Sequence, residues 1–144
     1  MVYKIRCVEN EEQLKAVLEL CYSILGNHLK NVDNYRYEDW KKRLEKDNEL
    51  LIFACESEKV VAAVLGRRES DESLVLGFVA CDEKYRGQGI TKELMARFED
   101  NAEKMGFKYI TLGADDKVTG FYEKCGYKII NEVHGQKIYQ KLLQ

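Results

Sequence analysis

Val79-Ala80-Cys81-Asp82-Glu83-Lys84-Tyr85-Arg86-Gly87-Gln88-Gly89-Ile90-Thr91-Lys92 is the stretch on which the reading of this 144-residue chain turns. It leaves an apolar run, crosses a short charged turn and enters a segment of helical spacing through two glycines, which predicts strand, tight turn and helix start. Such a junction binds anions, because the first N–H groups of a helix lack intrahelical partners and carry the positive end of its dipole. Gly87 and Gly89 let a phosphate approach the main chain, and Arg86 adds a fixed positive charge. A pyrophosphate fits that description. Two commoner phosphate motifs do not fit. The dinucleotide pattern Gly-x-Gly-x-x-Gly needs glycine where Lys92 stands, and the P-loop's Gly-Lys-Ser/Thr occurs nowhere in the chain.

Outward from this stretch the elements alternate. Upstream, the apolar runs Leu50 to Cys55, Val60 to Leu65 and Leu74 to Cys81, joined by charged turns, predict three antiparallel strands covered on both faces. Before them come a strand from Tyr3 to Val8 and a helix capped by Asn10, with Leu14, Val17, Leu18, Cys21, Ile24 and Leu25 as its apolar stripe and Gly26 as its stop. A polar, irregular connection from Asn27 to Asn34 leads to a second helix carrying Tyr37, Trp40 and Leu44. Downstream, Ile90, Leu94, Phe98, Ala102 and Met105 mark a helix ended by Gly106. A strand from Tyr109 to Leu112, a short helix from Asp115 to Lys124, and a final antiparallel pair, Tyr127 to Ile130 with Ile138 to Leu143, complete the order. The expectation is an α/β sandwich with a mixed sheet, one domain over residues 1–144.

Composition bounds the partners. Hydrophobic residues make up 45% and charged residues 33%, an ordinary globular balance. A net charge of -2 argues against nucleic acid as the main partner. No apolar run reaches the roughly 18 residues of a membrane span, and the first residues lack the apolar core of a signal peptide, so a cytoplasmic protein is expected. Cys7, Cys21, Cys55, Cys81 and Cys125 are scattered, mostly in apolar runs, as reduced structural thiols are; no metal-ligand spacing occurs.

The central stretch resembles motif A of the GNAT superfamily of N-acetyltransferases, Arg/Gln-x-x-Gly-x-Gly/Ala, here Arg86-Gly87-Gln88-Gly89-Ile90-Thr91, with Thr91 in place of Gly or Ala. A second run, Asp115-Asp116-Lys117-Val118-Thr119-Gly120-Phe121-Tyr122-Glu123-Lys124-Cys125-Gly126-Tyr127, resembles the family's Asn-x-x-Ala-x-x-Leu/Phe-Tyr-x-x-x-Gly-Phe. Asp115 stands where the family often has Asn, and Val118 where it has Ala. The order of elements resembles the family's over the whole chain. That implies a mostly antiparallel sheet of six to seven strands flanked by about four helices. It also implies transfer of an acetyl group from acetyl-CoA to an amine of a small molecule or protein, without a metal.

The resemblance assigns roles residue by residue. Arg86, Gly87, Gln88, Gly89, Ile90, Thr91 and Lys92 would wrap the pyrophosphate, with Asp115 as a further cofactor contact. The backbone of Val79, Ala80 and Cys81 would pair with the pantetheine amides, between a bulged fourth strand and a fifth strand splayed from it. A backbone N–H near Val79 would face the thioester oxygen. Tyr122 would be the general acid, since a phenol with a reference pKa of about 10 stays protonated at neutral pH. No general base stands out: Asp71, Glu72, His28, Asp33 and His134 all read as solvated groups. A thiol intermediate on Cys81 or Cys125 lacks an activating neighbour, so direct transfer in a ternary complex is the simpler expectation. The rival is a non-catalytic acyl-CoA binding or sensing domain on the same fold, and the last strands could pair across a homodimer.

Overall fold

Tyr3 to Cys55 already contains the logic of the sheet, because β1 (Lys4–Cys7) lies antiparallel to β2 (Leu51–Glu56) with two helices inserted between them. The computed structural model describes residues 2–115 and 120–143. With β3 (Lys59–Arg68), β4 (Ser73–Cys81), β5 (Tyr109–Asp115), β6 (Lys128–Val133) and β7 (Gln136–Leu142), the strands form one seven-stranded sheet in the order β1-β2-β3-β4-β5-β7-β6. Every neighbouring pair is antiparallel except β4 with β5. The mixed, mostly antiparallel sheet flanked by four α-helices is the fold expected from the sequence.

The helices divide between the two faces. α1 (Glu11–Leu25) starts where the Asn10 side chain accepts from the Gln13 N–H and buries Leu14, Val17, Leu18, Cys21 and Tyr22 on one stripe. α2 (Tyr37–Asp47) is anchored beside α1 by Trp40, which is fully buried, with Tyr37 and Leu44 partly buried against the same core. These side chains pack on Phe53, Ala63, Leu65, Phe78 and Ala80. The opposite face meets α3 (Ile90–Lys104), through Ile90, Leu94, Met95, Phe98 and Ala102, and Tyr122 of the short α4 (Phe121–Lys124). β2 and the middle of β3 are buried on both faces, which is why they read as unbroken apolar runs.

Two local expectations shift. The connection after Gly26 is not wholly irregular: Asn27–Asn31 forms a 3-10 turn. Asp115 does not open a helix; it closes β5, opposite Gln136. The ladder with β7 runs through Leu112–Tyr139 and Ala114–Lys137, and Ile110, Leu112 and Ala114 keep the period-two burial of a strand across Gly113. Residues 116–119, which include Val118 of the second motif, lie outside the described residues.

Candidate functional site

β4 and β5 run side by side only through Ser73–Tyr109, Leu74–Ile110 and Val75–Thr111. β4 then follows β3 to the pair Ala62–Cys81, while β5 follows β7. The divergence has a local cause in β4. Leu65 is opposite Phe78 but Gly66 is opposite Leu76, so Gly77 is an extra residue, a bulge that bends the strand. Trp40 explains why glycine stands there, since a Cβ on Gly77 would lie 2.9 Å from its Cη2 atom.

A cleft of about 550 Å³ opens where the strands part. One wall is Val79, Ala80 and Cys81 of β4, and the opposite wall is Phe121 and Tyr122 of α4. Its floor is the turn after β4 and the first residues of α3: Arg86, Gly87, Gly89, Ile90, Thr91 and Lys92. The fold thus brings together all the candidates named from the sequence except Gln88 and Asp115, which do not line the cleft and are exposed.

The turn is shaped for an anion. Asp82 accepts from the Lys84 N–H at 3.0 Å, and that bond, with Lys59 nearby, holds its carboxyl below the usual range. Gly87 and Gly89 have φ of +79° and +81°, conformations that L side chains rarely adopt. Gly89 is the N-cap of α3 and supplies no side-chain cap; the first helical bond runs from the Glu93 N–H to the Gly89 carbonyl. The N–H groups of Ile90, Thr91 and Lys92 therefore point out of the helix without an intrahelical acceptor, beside the cations of Arg86 and Lys92. A diphosphate fits this cradle. Thr91 lines it too, and its side chain opposes the rise of the Cys81 thiol pKa.

Three tyrosines cluster at the other wall, and their hydroxyls have different fates. Tyr127 donates to Glu99 at 3.0 Å, and the Tyr139 hydroxyl is sealed in the core without a partner among the described residues. Only Tyr122 lines the cleft, its ring 5.7 Å from Tyr139 and 6.1 Å from Tyr127. Its hydroxyl has no hydrogen-bond partner among the described residues. Burial, with smaller contributions from Cys125 and Tyr139, pushes its pKa up to about 12. The phenol is a proton donor across the whole neutral range.

The thiols are not activated nucleophiles. Burial pushes the Cys81 thiol up against the opposing effects of Thr91 and Arg86, and burial with Glu99 does the same at Cys125. No Asp, Glu or His is among the described residues lining the cleft. Glu72 instead lies 3.6 Å from Lys108 and Asp33 lies 2.9 Å from Arg36, while Asp71, His28 and His134 are exposed. No group of three or more His, Cys, Asp or Glu that could hold a metal occurs among the described residues.

The sequence did not single out Ile24, Leu25 and Tyr85, which also line the cleft. Ile24 and Leu25 read as the end of an apolar stripe, yet Leu25 is 40% exposed. Tyr85 donates to Glu56 at 2.8 Å from a 3-10 turn that the charged run concealed.

This geometry has counterparts of similar fold. One is the PaiA N-acetyltransferase of Thermoplasma acidophilum in complex with coenzyme A, 16% identical over 99% of both chains, with a TM-score of 0.82. Another is the ribosomal-protein-S18-alanine N-acetyltransferase of Escherichia coli, 16% identical over 99% of this chain and 95% of that one, with a TM-score of 0.73. A chain of the NatC complex bound to Gag peptide and CoA is 18% identical over 99% and 98%, with a TM-score of 0.79. At such identities the likeness is one of fold. No curated protein sequence matches the chain. The profile of the acetyltransferase (GNAT) family matches residues 12–127, most of the chain including both motifs, and the protein belongs to that family.

Proposed function

We propose that this protein transfers the acetyl group of acetyl-CoA to a primary amine, by direct transfer in a ternary complex. The observation that carries the reading is the parting of β4 from β5 over a cleft whose two ends are an uncapped, glycine-shaped helix start and a buried phenol unpartnered among the described residues. Acetyl-CoA, when bound, supplies the activated acyl group as a thioester.

The chain's own residues have four tasks. Arg86, Gly87, Gly89, Ile90, Thr91 and Lys92 would hold the diphosphate through backbone N–H groups and two cations. Gln88 sits within the same turn, and Asp115 at the end of β5 would contribute from the cleft's margin. The β5-facing edge of Val79, Ala80 and Cys81, released from strand pairing, would accept the pantetheine arm as an added strand and direct an N–H at the acyl oxygen. Tyr122 would donate toward the departing sulfur. The raised thiols of Cys81 and Cys125 favour direct transfer over an acyl-enzyme. With no Asp, Glu or His among the described residues lining the cleft, the acceptor enters as the neutral amine or loses its proton to water. The reading takes residues 1–144 as one domain working in the cytoplasm.

The test is calorimetric titration of acetyl-CoA followed by free-thiol release with a panel of amines. Binding with amine-dependent thiol release supports the enzyme. Binding without turnover on any amine supports the acyl-CoA sensing domain, for which the base-free cleft is the favouring observation. No binding refutes both.

A further inference from the structure

Outside the cleft lining, β3 ends in two arginines and α2 carries a third, and their partners differ sharply. Arg68 is committed: its Nε and Nη2 donate to both oxygens of Asp47 at 2.8 and 2.9 Å. Arg67, its neighbour on β3, makes no hydrogen bond or ion pair among the described residues, and its Nε is buried without an acceptor. Strand alternation puts Arg67 on the same face as Ala63 and Leu65, which belong to the core beneath α1 and α2.

Arg43 of α2 is the matching group. Its guanidinium lies 4.4 Å over the Trp40 ring and donates through Nη1 to the Asn34 carbonyl at 2.6 Å and through Nη2 to the Asn34 Oδ1 at 3.4 Å. Burial and then the charge of Arg67 lower its pKa, outweighing Asp39 and Tyr35, which act the other way. The two cations thus repel, and Trp40, over whose ring Arg43 lies, also keeps its Nε1 buried without an acceptor among the described residues. Among the described residues the acceptors recorded for these donors are the two oxygens of Asn34, both taken by Arg43. A planar carboxylate supplies what is missing, because an arginine fork matches it in shape and charge.

The place matters as much as the chemistry. Arg67 is opposite Val75, and Val75–Thr111 is the last pair before β4 and β5 part. Trp40 lies over the bulge at Gly77, two residues further along β4. The arginines therefore flank the base of the same opening whose mouth holds Val79. A strand rises about 3.3 Å per residue, so the steps from Val75 to Val79 cover on the order of 10 Å once the bulge is allowed for.

We propose that Arg67 and Arg43 bind a carboxylate carried by the amine acceptor, so that the substrate class is an amine with a carboxylate several bonds from the nitrogen. The inference rests on the acetyl-transfer reading above and selects within it. A basic amino acid modified on its side chain and a peptide with an acidic residue near its amino end share this chemistry.

The experiment compares acceptors that differ by one carboxylate: lysine with cadaverine, ornithine with putrescine, and peptides with Glu or Gln at the second position. The wild type is expected to prefer the carboxylate-bearing member of at least one pair by about 10- to 100-fold in kcat/KM, and the pair that shows it identifies the source. In Arg67→Met that preference collapses, and in Arg67→Lys it falls partway, since the charge stays and the fork is lost. Arg67→Met is expected to melt no lower than the wild type, because an unpartnered charge is removed. Equal use of both members of every pair overturns the proposal, as does a preference that survives Arg67→Met. Trp40, the only tryptophan of the chain, gives a second readout without turnover. Lysine, but not cadaverine, should change its fluorescence in the wild type and not in Arg67→Met. If thiol release fails with every amine while this fluorescence difference holds, the transfer reading falls and the carboxylate site stands. If no carboxylate-bearing probe changes the fluorescence and no pair is discriminated, the site falls.

Discussion

Tyr122→Phe removes one hydroxyl and leaves the ring, and the structure separates what that does to stability from what it does to chemistry. The ring packs against Phe121, Tyr139 and Tyr127 at centroid distances of 5.2, 5.7 and 6.1 Å, and phenylalanine keeps all three contacts. The lost hydroxyl makes no hydrogen bond among the described residues, so the melting temperature should stay level or rise by a few degrees. The chemical effect follows from the pKa of about 12. A thiol has a reference pKa of about 8.5, so full proton transfer from this phenol to a free thiolate is uphill by roughly 3.5 units. The hydroxyl therefore acts chiefly as a hydrogen-bond donor to developing charge. The loss in kcat should sit at the low end for an acid catalyst, about 100-fold or roughly 2.7 kcal/mol. Calorimetry should give the same affinity for coenzyme A in both proteins within about threefold, since Tyr122 lies away from the phosphate cradle. A kcat within threefold of the wild type, measured by thiol release at saturating amine, refutes the donor role and leaves Tyr122 a core aromatic.

Alkaline stability tests the same group independently. The unfolded chain releases the Tyr122 proton near pH 10 and the native state holds it to about 12, so stability present below pH 10 is lost as pH rises through 12. Tyr122→Phe should lack that term, of which roughly 1.4 kcal/mol is lost between pH 9 and pH 11 in chemical denaturation. The pH dependence of kcat/KM should follow the titration of the acceptor amine with no inflection near pH 6 to 7, because no carboxylate or imidazole is found among the described residues lining the cleft; a break there that persists across amines of different pKa refutes this. Gly89→Val forces a β-branched residue to φ near +81° at the helix start, and should weaken coenzyme A binding at least tenfold by calorimetry while costing about 1–2 kcal/mol of stability. Gly66→Ala would put a Cβ 2.3 Å from Cζ of Phe98 and should destabilise by about 1–3 kcal/mol in urea unfolding with little change in coenzyme A affinity.

Much of the molecule was legible because its signals are local. Asn10 before the stripe from Leu14 to Tyr22, the doubly buried runs of β2 and β3, and the glycine pair ahead of Ile90 each state their element without help from distant residues. The cleft candidates followed because most of them are contiguous. What stayed hidden depends on pairing across the fold. Asp115 looked like a helix start until the ladder with β7 claimed it, and Leu25 looked like core until α1 ended over the cleft. The arginines show the same limit most plainly. Arg67 and Arg68 are neighbours in sequence but point to opposite faces of β3, and only the fold shows that Asp47 of α2 pairs with Arg68 while Arg67 has no partner among the described residues.

The short junction between β4 and β5 has a mechanical consequence. Three register pairs at one end are the only backbone seam between the strands β1 to β4 and the strands β5 to β7 among the described residues, with the α3 face packed beneath both groups. The two groups are therefore natural units of sub-global opening, separable at a free energy below that of complete unfolding. A ligand arm laid along the free edge of β4 would act as a strut across that seam. Amide hydrogen exchange in β5, β6 and β7 should then slow on ligand binding well beyond the residues that touch it, while the centre of β2 and β3 exchanges as before.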